Sequence, residues 1–204
     1  VVSKHIIGEA ETFIRDHFKV HIPQEYVYHN YGHTLDIVEE CRIIGTGSGM
    51  SDDQLTALHL GALFHDSGYK KDGVGHENHS IVIFKQWVEK LGYPQEQIEV
   101  VSGCIAATKI PQMPKNKVEQ IMCDADLAYL GQETFMHRSN LLRQEWKVTR
   151  GQEFGDRDWF ELQVRFLTGH VFHTDFAKQN YGIKKLDNLE GVRRILNGMN
   201  GQHR

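Results

Sequence analysis

The chain has 204 residues, of which 40% are hydrophobic, 10% aromatic and 25% charged, and its formal net charge is -4. This ordinary globular composition excludes a disordered or collagen-like chain, and the slight acidity excludes a global basic field that would draw nucleic acid or an anionic membrane surface. The length suits one compact domain over residues 1–204.

No apolar run approaches the ~18 residues of a membrane span, and the opening VVSKHIIGEAETF lacks the charged start and apolar centre of a signal peptide. Cys41, Cys104 and Cys123 form an odd set without CxxC spacing, each inside an apolar helical pattern, and read as small core residues in a reducing compartment. A cytoplasmic location is the expectation. The chain begins without methionine, which leaves a trimmed start and an upstream partner domain open.

Nearly every segment carries helical periodicity and no alternating β-branched run supports a strand, so the spacing predicts an all-α bundle of about seven to nine helices. A first helix is predicted over 2–18, followed by the loop IPQEYVYHNYG with Pro23 and Gly32 as breakers. The second runs from His33 to about Ile44 and closes at GTGSGMS; His33 shares a face with Ile37, Cys41 and Ile44, while Asp36, Glu39 and Glu40 fall elsewhere.

SDDQLTALHLGALFHD opens with Ser51 as N-cap and acidic residues in its first turn, and is predicted to stay helical to Asp66. Leu55, Leu58, Ala62, His65 and Asp66 share its core stripe, and Leu60, Leu63 and Phe64 make the other side apolar, so this helix is expected to be central. A carboxylate at its end is costly to bury unless a cation or strong donors meet it.

After the glycine-rich SGYKKDGVG come helices over Glu77 to Lys90, Gln95 to about Lys109, and Asn116 to Leu130. In the last of these, Val118, Ile121, Met122, Ala125 and Tyr129 form a stripe with Asp126 at its edge, whereas Asp124 projects about 200° away. Further helices are predicted near 133–149, over 156–178 with a break at Gly169, and over 185–197. No internal repeat or low-complexity segment is found.

Three helices therefore each aim ionisable groups inward: His33, then His65 with Asp66, then Asp126. Nitrogen and oxygen donors converging in apolar surroundings suit a divalent ion such as zinc, manganese, iron, magnesium or cobalt. The plainer reading is a set of satisfied core histidines and carboxylates that cap neighbouring helices.

The ordered set YHNYGHT, LFHDSGY, GHENHS and MCDADLAYLG resembles the HD superfamily of metal-dependent phosphohydrolases over about residues 25–130. The resemblance implies an HD-like helical bundle around a central metal site, with His33, His65, Asp66 and Asp126 as ligands and the helices of 131–204 completing the pocket. The Glu-Asp pair of the stringent-response hydrolases and the Gly-Tyr-Pro signature of cyclic dinucleotide phosphodiesterases are both absent. HNYGH is similar to the HNxxH motif of cyclic nucleotide phosphodiesterases, which implies His29 as proton donor, although the HDxxHPGxxN continuation is not reproduced. GHENHS resembles the His-Glu element of small HD hydrolases. By that likeness His76 binds a second metal bridged by Asp66 or donates to phosphate, with Glu77 positioning it or activating water; alternatively Glu77 simply favours a helix start.

Lys70, Lys71, Lys109, Lys115 and Lys117 flank these motifs and form a local positive mouth, with Lys109 as the expected phosphate contact. Trp159, Gln163, Phe166, His170, His173 and Thr174 make an aromatic and polar stripe that either closes a pocket over a base or packs the final helices, and the roles of His170 and His173 stay open. The expected function is metal-dependent hydrolysis of a nucleotide or similar small phosphate ester, with one or two ions per chain, no membrane and no extended nucleic acid. The competing functions are a di-iron HD-type oxygenase, which needs further histidines such as His76 and His79, and a catalytically silent nucleotide-binding regulatory module.

Overall fold

The computed structural model describes residues 2–69 and 75–201, and among them the regular structure is helical throughout. The helices are α1 (Val2–His21), α2 (Tyr31–Gly47), α3 (Asp52–Phe64), α4 (His76–Val88), α5 (Gln95–Ala107), α6 (Lys117–Asp126), α7 (Phe135–Arg150), α8 (Asp156–Gly169) and α9 (Asp175–Gly201), with short 3-10 turns at Glu89–Leu91 and Ala128–Gly131. The all-α expectation holds. No described helix is long and apolar enough to cross a membrane.

α3 is the axis of the fold and packs on α1, α2, α4, α5 and α6. Its start is fixed by a reciprocal capping box, in which the Ser51 side chain accepts from Gln54 N and the Gln54 side chain accepts from Ser51 N. Leu58, Leu60, Leu63 and Phe64 are completely buried on different sides of the helix, each contributing ~1.5–3 kcal/mol of apolar burial. One core cluster joins α2, α3, α5, α6 and α9, and another joins α1, α3, α4 and α5.

All three cysteines are buried, Cys41 and Cys104 within the first of these clusters, and burial pushes their thiols up, Cys104 to about 12. This fits the core role read from the sequence.

Two predicted boundaries are corrected. α3 closes at Phe64, so His65 and Asp66 stand in the turn that follows rather than on the helix proper. In the C-terminal segment the break expected at Gly169 is present, α8 ending there with His170 extended, but beyond it α9 runs unbroken from Asp175 to Gly201 instead of stopping at 178 and resuming over 185–197. The cause is a cap supplied from a distance. The buried Asp124 carboxylate accepts from His173 N (2.7 Å), Thr174 N (2.8 Å) and Thr174 Oγ1 (2.7 Å), and Thr174 Oγ1 in turn accepts from Ala177 N (3.1 Å), which starts α9 there.

Candidate metal centre and cavity

Asn30 is the N-cap of α2, its side chain accepting from His33 N at 3.0 Å, and this sets His33 in the first turn with its ring directed at the core. His33 is 3% exposed, His65 1% and Asp66 3%. The turn carrying the His-Asp doublet is held from three sides. Ser80 Oγ of α4 donates to His65 O (2.6 Å) and accepts from Gly68 N (2.9 Å), Ser67 Oγ donates to Phe64 O (2.7 Å), and Ser67 O is bonded to the His17 ring (2.8 Å). Gly68 permits the approach of α4, because a Cβ there would lie 2.4 Å from Ser80 N and 2.5 Å from His76 O.

His65 Nδ1 faces Ala62 O at 2.8 Å, so this nitrogen donates its proton to the backbone and Nε2 is turned to the centre. His65 Nε2 lies 3.0 Å from Asp66 Oδ2 and 3.7 Å from Asp126 Oδ1; His33 Nε2 lies 3.6 Å from Asp66 Oδ2 and 4.0 Å from Asp126 Oδ1. Ligand atoms of His33, His65 and Asp66 all fall within 4.8 Å of one another.

The donor set fits a metal ion. Six-coordinate ions with bonds of about 2.1 Å hold adjacent donors ~3.0 Å and opposite donors ~4.2 Å apart, the range spanned by these separations. His65 Nε2 and Asp66 Oδ2 are also buried without completing a hydrogen bond, an expensive arrangement unless a cation meets them. Asp126 stands at the open side of the group, and its other oxygen accepts from Gln112 Nε2 at 3.3 Å.

Electrostatics agree with a cation-seeking centre. Burial drives the His33 imidazole well below its ordinary range, which leaves it neutral and able to ligate. Burial also disfavours charge on His65, yet the adjoining Asp66 and Asp126 more than reverse this and raise it to about 9. Asp66 is penalised by burial but held well below the carboxylate range by His65, while burial lifts Asp126 to about 6.

The centre opens on a cavity of about 530 Å³, and His29, His76, Glu77 and Lys109 all line it. His76 Nε2 is 3.2 Å from Asp66 Oδ1, the oxygen opposite the one facing His33 and His65, and Glu77 Oε1 is 3.8 Å from His76 Nδ1. Glu77 Oε2 is buried without a hydrogen-bond partner. His79 is exposed on α4 and is not brought to the centre. Among the described lysines Lys109 lines the cavity; Lys117 instead donates to Ser48 O (2.8 Å), Lys115 is exposed away from it, and Lys70 and Lys71 lie outside the described residues.

Sequence reasoning missed one heavily engaged carboxylate. Glu145, fully buried on α7, accepts from Tyr28 N (2.8 Å) and His29 N (2.9 Å) and bonds His29 Nδ1 through its other oxygen. His29 is thus oriented by a carboxylate, with Nε2 left for a ligand, and its ring stacks on Tyr69 at 4.1 Å. The signal available was a lone Glu in the polar-looking sequence RQEWKVTR, and nothing there says which face of α7 turns inward. Arg150, whose Nη2 donates to Tyr69 OH at 3.1 Å, was missed for the same reason.

The C-terminal stripe separates into distinct roles. Gln163 and Phe166 line the cavity and Trp159 is core, its Nε1 donating to Ser139 Oγ (3.0 Å). His173 and Thr174 are spent on Asp124. His170 packs on Phe172 and is kept neutral, burial and then Lys185 lowering it to about 3.

No family model, curated protein or solved structure matches the chain.

Proposed function

We propose that the chain is a metal-dependent hydrolase of small phosphate esters, with a nucleotide or a similar compound as substrate. The observation that carries this reading is the pair of orphaned donors, His65 Nε2 and Asp66 Oδ2, set among two further donors at the floor of a cavity that also presents a carboxylate-bound histidine. His33, His65, Asp66 and Asp126 would hold the ion. When bound, a divalent cation supplies Lewis acidity to a phosphoryl oxygen and makes water a better nucleophile near neutral pH.

The chain's own residues account for the rest. Phosphate-ester hydrolysis forms a bond from water oxygen to phosphorus and breaks the bond to the leaving oxygen, which must take up a proton. His29 is the group poised to give it: Nδ1 is held by Glu145, which orients the ring, and Nε2 is left to carry the proton to the leaving oxygen. Glu77, with one unpartnered buried oxygen beside His76, is the acceptor for the proton that the attacking water loses. Lys109, at the rim, supplies a positive charge that favours the anion's entry.

Asp66 faces His33 and His65 with one oxygen and His76 with the other, which supports a second ion position on the His76 side. A di-iron oxygenase draws less support, since His79 does not reach the centre.

The test is metal add-back. Stripped protein given manganese, cobalt, zinc, iron or magnesium singly should regain phosphate release from nucleoside phosphates or p-nitrophenyl esters, and Asp66→Ala should abolish it. Metal that binds at one or two equivalents with no turnover on any ester would end the hydrolase reading in favour of a binding module or redox centre.

A further inference from the structure

We propose that Arg150 is the anchor for a second phosphoryl group, so that the substrate is a diphosphate or longer phosphate ester rather than a simple monophosphate. This rests on the reading of the His-Asp centre as the place of the scissile phosphate, and adds to it a residue and a substrate class.

The other arginines of α7 are neutralised: Arg138 pairs with Asp36 and Arg143 with Asp156. Arg150, half-buried at the last turn of the same helix, has no carboxylate partner among the described residues and lines the cavity. Its guanidinium is instead held by neutral aromatic groups. The Trp146 ring, one helical turn back, lies 4.6 Å beneath it, and Tyr69 OH accepts one of its hydrogens at 3.1 Å. A guanidinium carries five donors in a rigid fork, and one such bond leaves most of them for a ligand. The Trp146 ring beneath it and the Tyr69 hydroxyl restrain that fork before any anion arrives, which reduces the ordering cost of binding.

Position selects the group that it meets. Tyr69 stacks on His29 at 4.1 Å, stands 4.6 Å from His76, and carries Arg150 at its hydroxyl end. The guanidinium therefore lies at the hydroxyl end of a ring that packs against both histidines of the centre. A diphosphate extends further from the centre than a lone phosphoryl group does, and its second phosphate is directed along this shared cavity towards the fork. Arg favours phosphate oxygens through paired, charge-assisted bonds, so the chemistry matches a second phosphate better than a neutral sugar or base.

The experiment is calorimetric titration of the metal-loaded chain with inorganic pyrophosphate and with inorganic phosphate, repeated for Arg150→Gln and Tyr69→Phe. The wild type should bind pyrophosphate roughly tenfold or more tightly than phosphate, the scale of one charge-assisted contact pair. Arg150→Gln should bring the two affinities within about threefold by weakening pyrophosphate alone, and Tyr69→Phe, which frees the guanidinium without removing it, should fall between. Complexation of pyrophosphate by free metal is common to all variants and cancels when the ratio in each variant is compared with that in the wild type, which is the comparison that decides. An unchanged ratio in Arg150→Gln, or an equal weakening of both anions, overturns the assignment. Turnover is scored separately: a pyrophosphate preference that depends on Arg150 but comes with no turnover of any nucleoside phosphate or p-nitrophenyl ester sinks the hydrolase reading and leaves the anion anchor standing.

Discussion

Glu145→Gln and Glu145→Ala separate what this carboxylate does for the fold from what it does for chemistry. Three donors converge on it: Tyr28 N, His29 N and His29 Nδ1. Alanine leaves all three without an acceptor. At ~1–3 kcal/mol for each buried orphan, less what water entering from the cavity restores at His29, Glu145→Ala should lose about 3–5 kcal/mol in urea unfolding. Glutamine is different, because both backbone bonds go to the same oxygen, Oε2, and an amide oxygen in that place keeps them. The cost should be only about 1 kcal/mol. The amide NH2 then faces Nδ1 and makes that nitrogen an acceptor, so the imidazolium loses its carboxylate and His29 can no longer give up a proton. On esters with alkyl leaving groups kcat/KM should drop ~10²–10⁴-fold, the usual worth of a general acid. On p-nitrophenyl esters, whose leaving group needs no proton, the loss should be within about tenfold. A Glu145→Gln enzyme as active as wild type on alkyl esters, or equally depressed on both ester classes, would refute the role assigned to His29 and its partner.

Removing a ligand should remove the ion: Asp66→Asn or His33→Gln is expected to lower metal affinity at least ~10²-fold, read by elemental analysis after dialysis against a weak chelator. Stability of the metal-free chain should depend on pH through His65. Its folded value, about 9, lies above the unfolded one of ~6.5, so the contribution is complete below ~6.5 and is lost as pH rises through about 9; urea midpoints in chelator should fall across that window and flatten when metal is added. A midpoint that rises there would contradict the protonated His65 placed beside Asp66. Gly68→Ala should cost about 1–3 kcal/mol and loosen the doublet, since the new Cβ meets backbone of α4 rather than a movable side chain; wild-type stability and metal affinity in this variant would show the approach of α4 to be dispensable.

The inward set was legible because helical periodicity is a local rule. His33 with Ile37 and Cys41, and Asp126 with Met122 and Ile121, could be placed by counting at 100° per residue, and the structure buries each of these faces. The His65–Asp66 doublet was legible as inward but not as a turn, because its shape depends on Ser80 and Gly68 bonding across α4. Glu145 and Arg150 were illegible for a stronger reason. Each acts on a residue far away in the chain, Glu145 on His29 and Arg150 on Tyr69, through contacts that no repeat or apolar stripe of α7 announces. The unity of α9 was hidden likewise, since its first turn is capped by Asp124, 50 residues earlier.

α6 serves two masters within a single turn. Asp126 looks to the His65–Asp66 group, and Asp124, two residues before it, ties down the start of α9. The C-terminal helices are therefore not an exchangeable cassette laid over a self-sufficient core. A chain cut after residue 131 would keep every histidine and aspartate of the centre, yet it would strand a buried carboxylate beside one of them. Grafting a different C-terminal half would have to reproduce the His173–Thr174 backbone first, since the register of Asp126 travels with it.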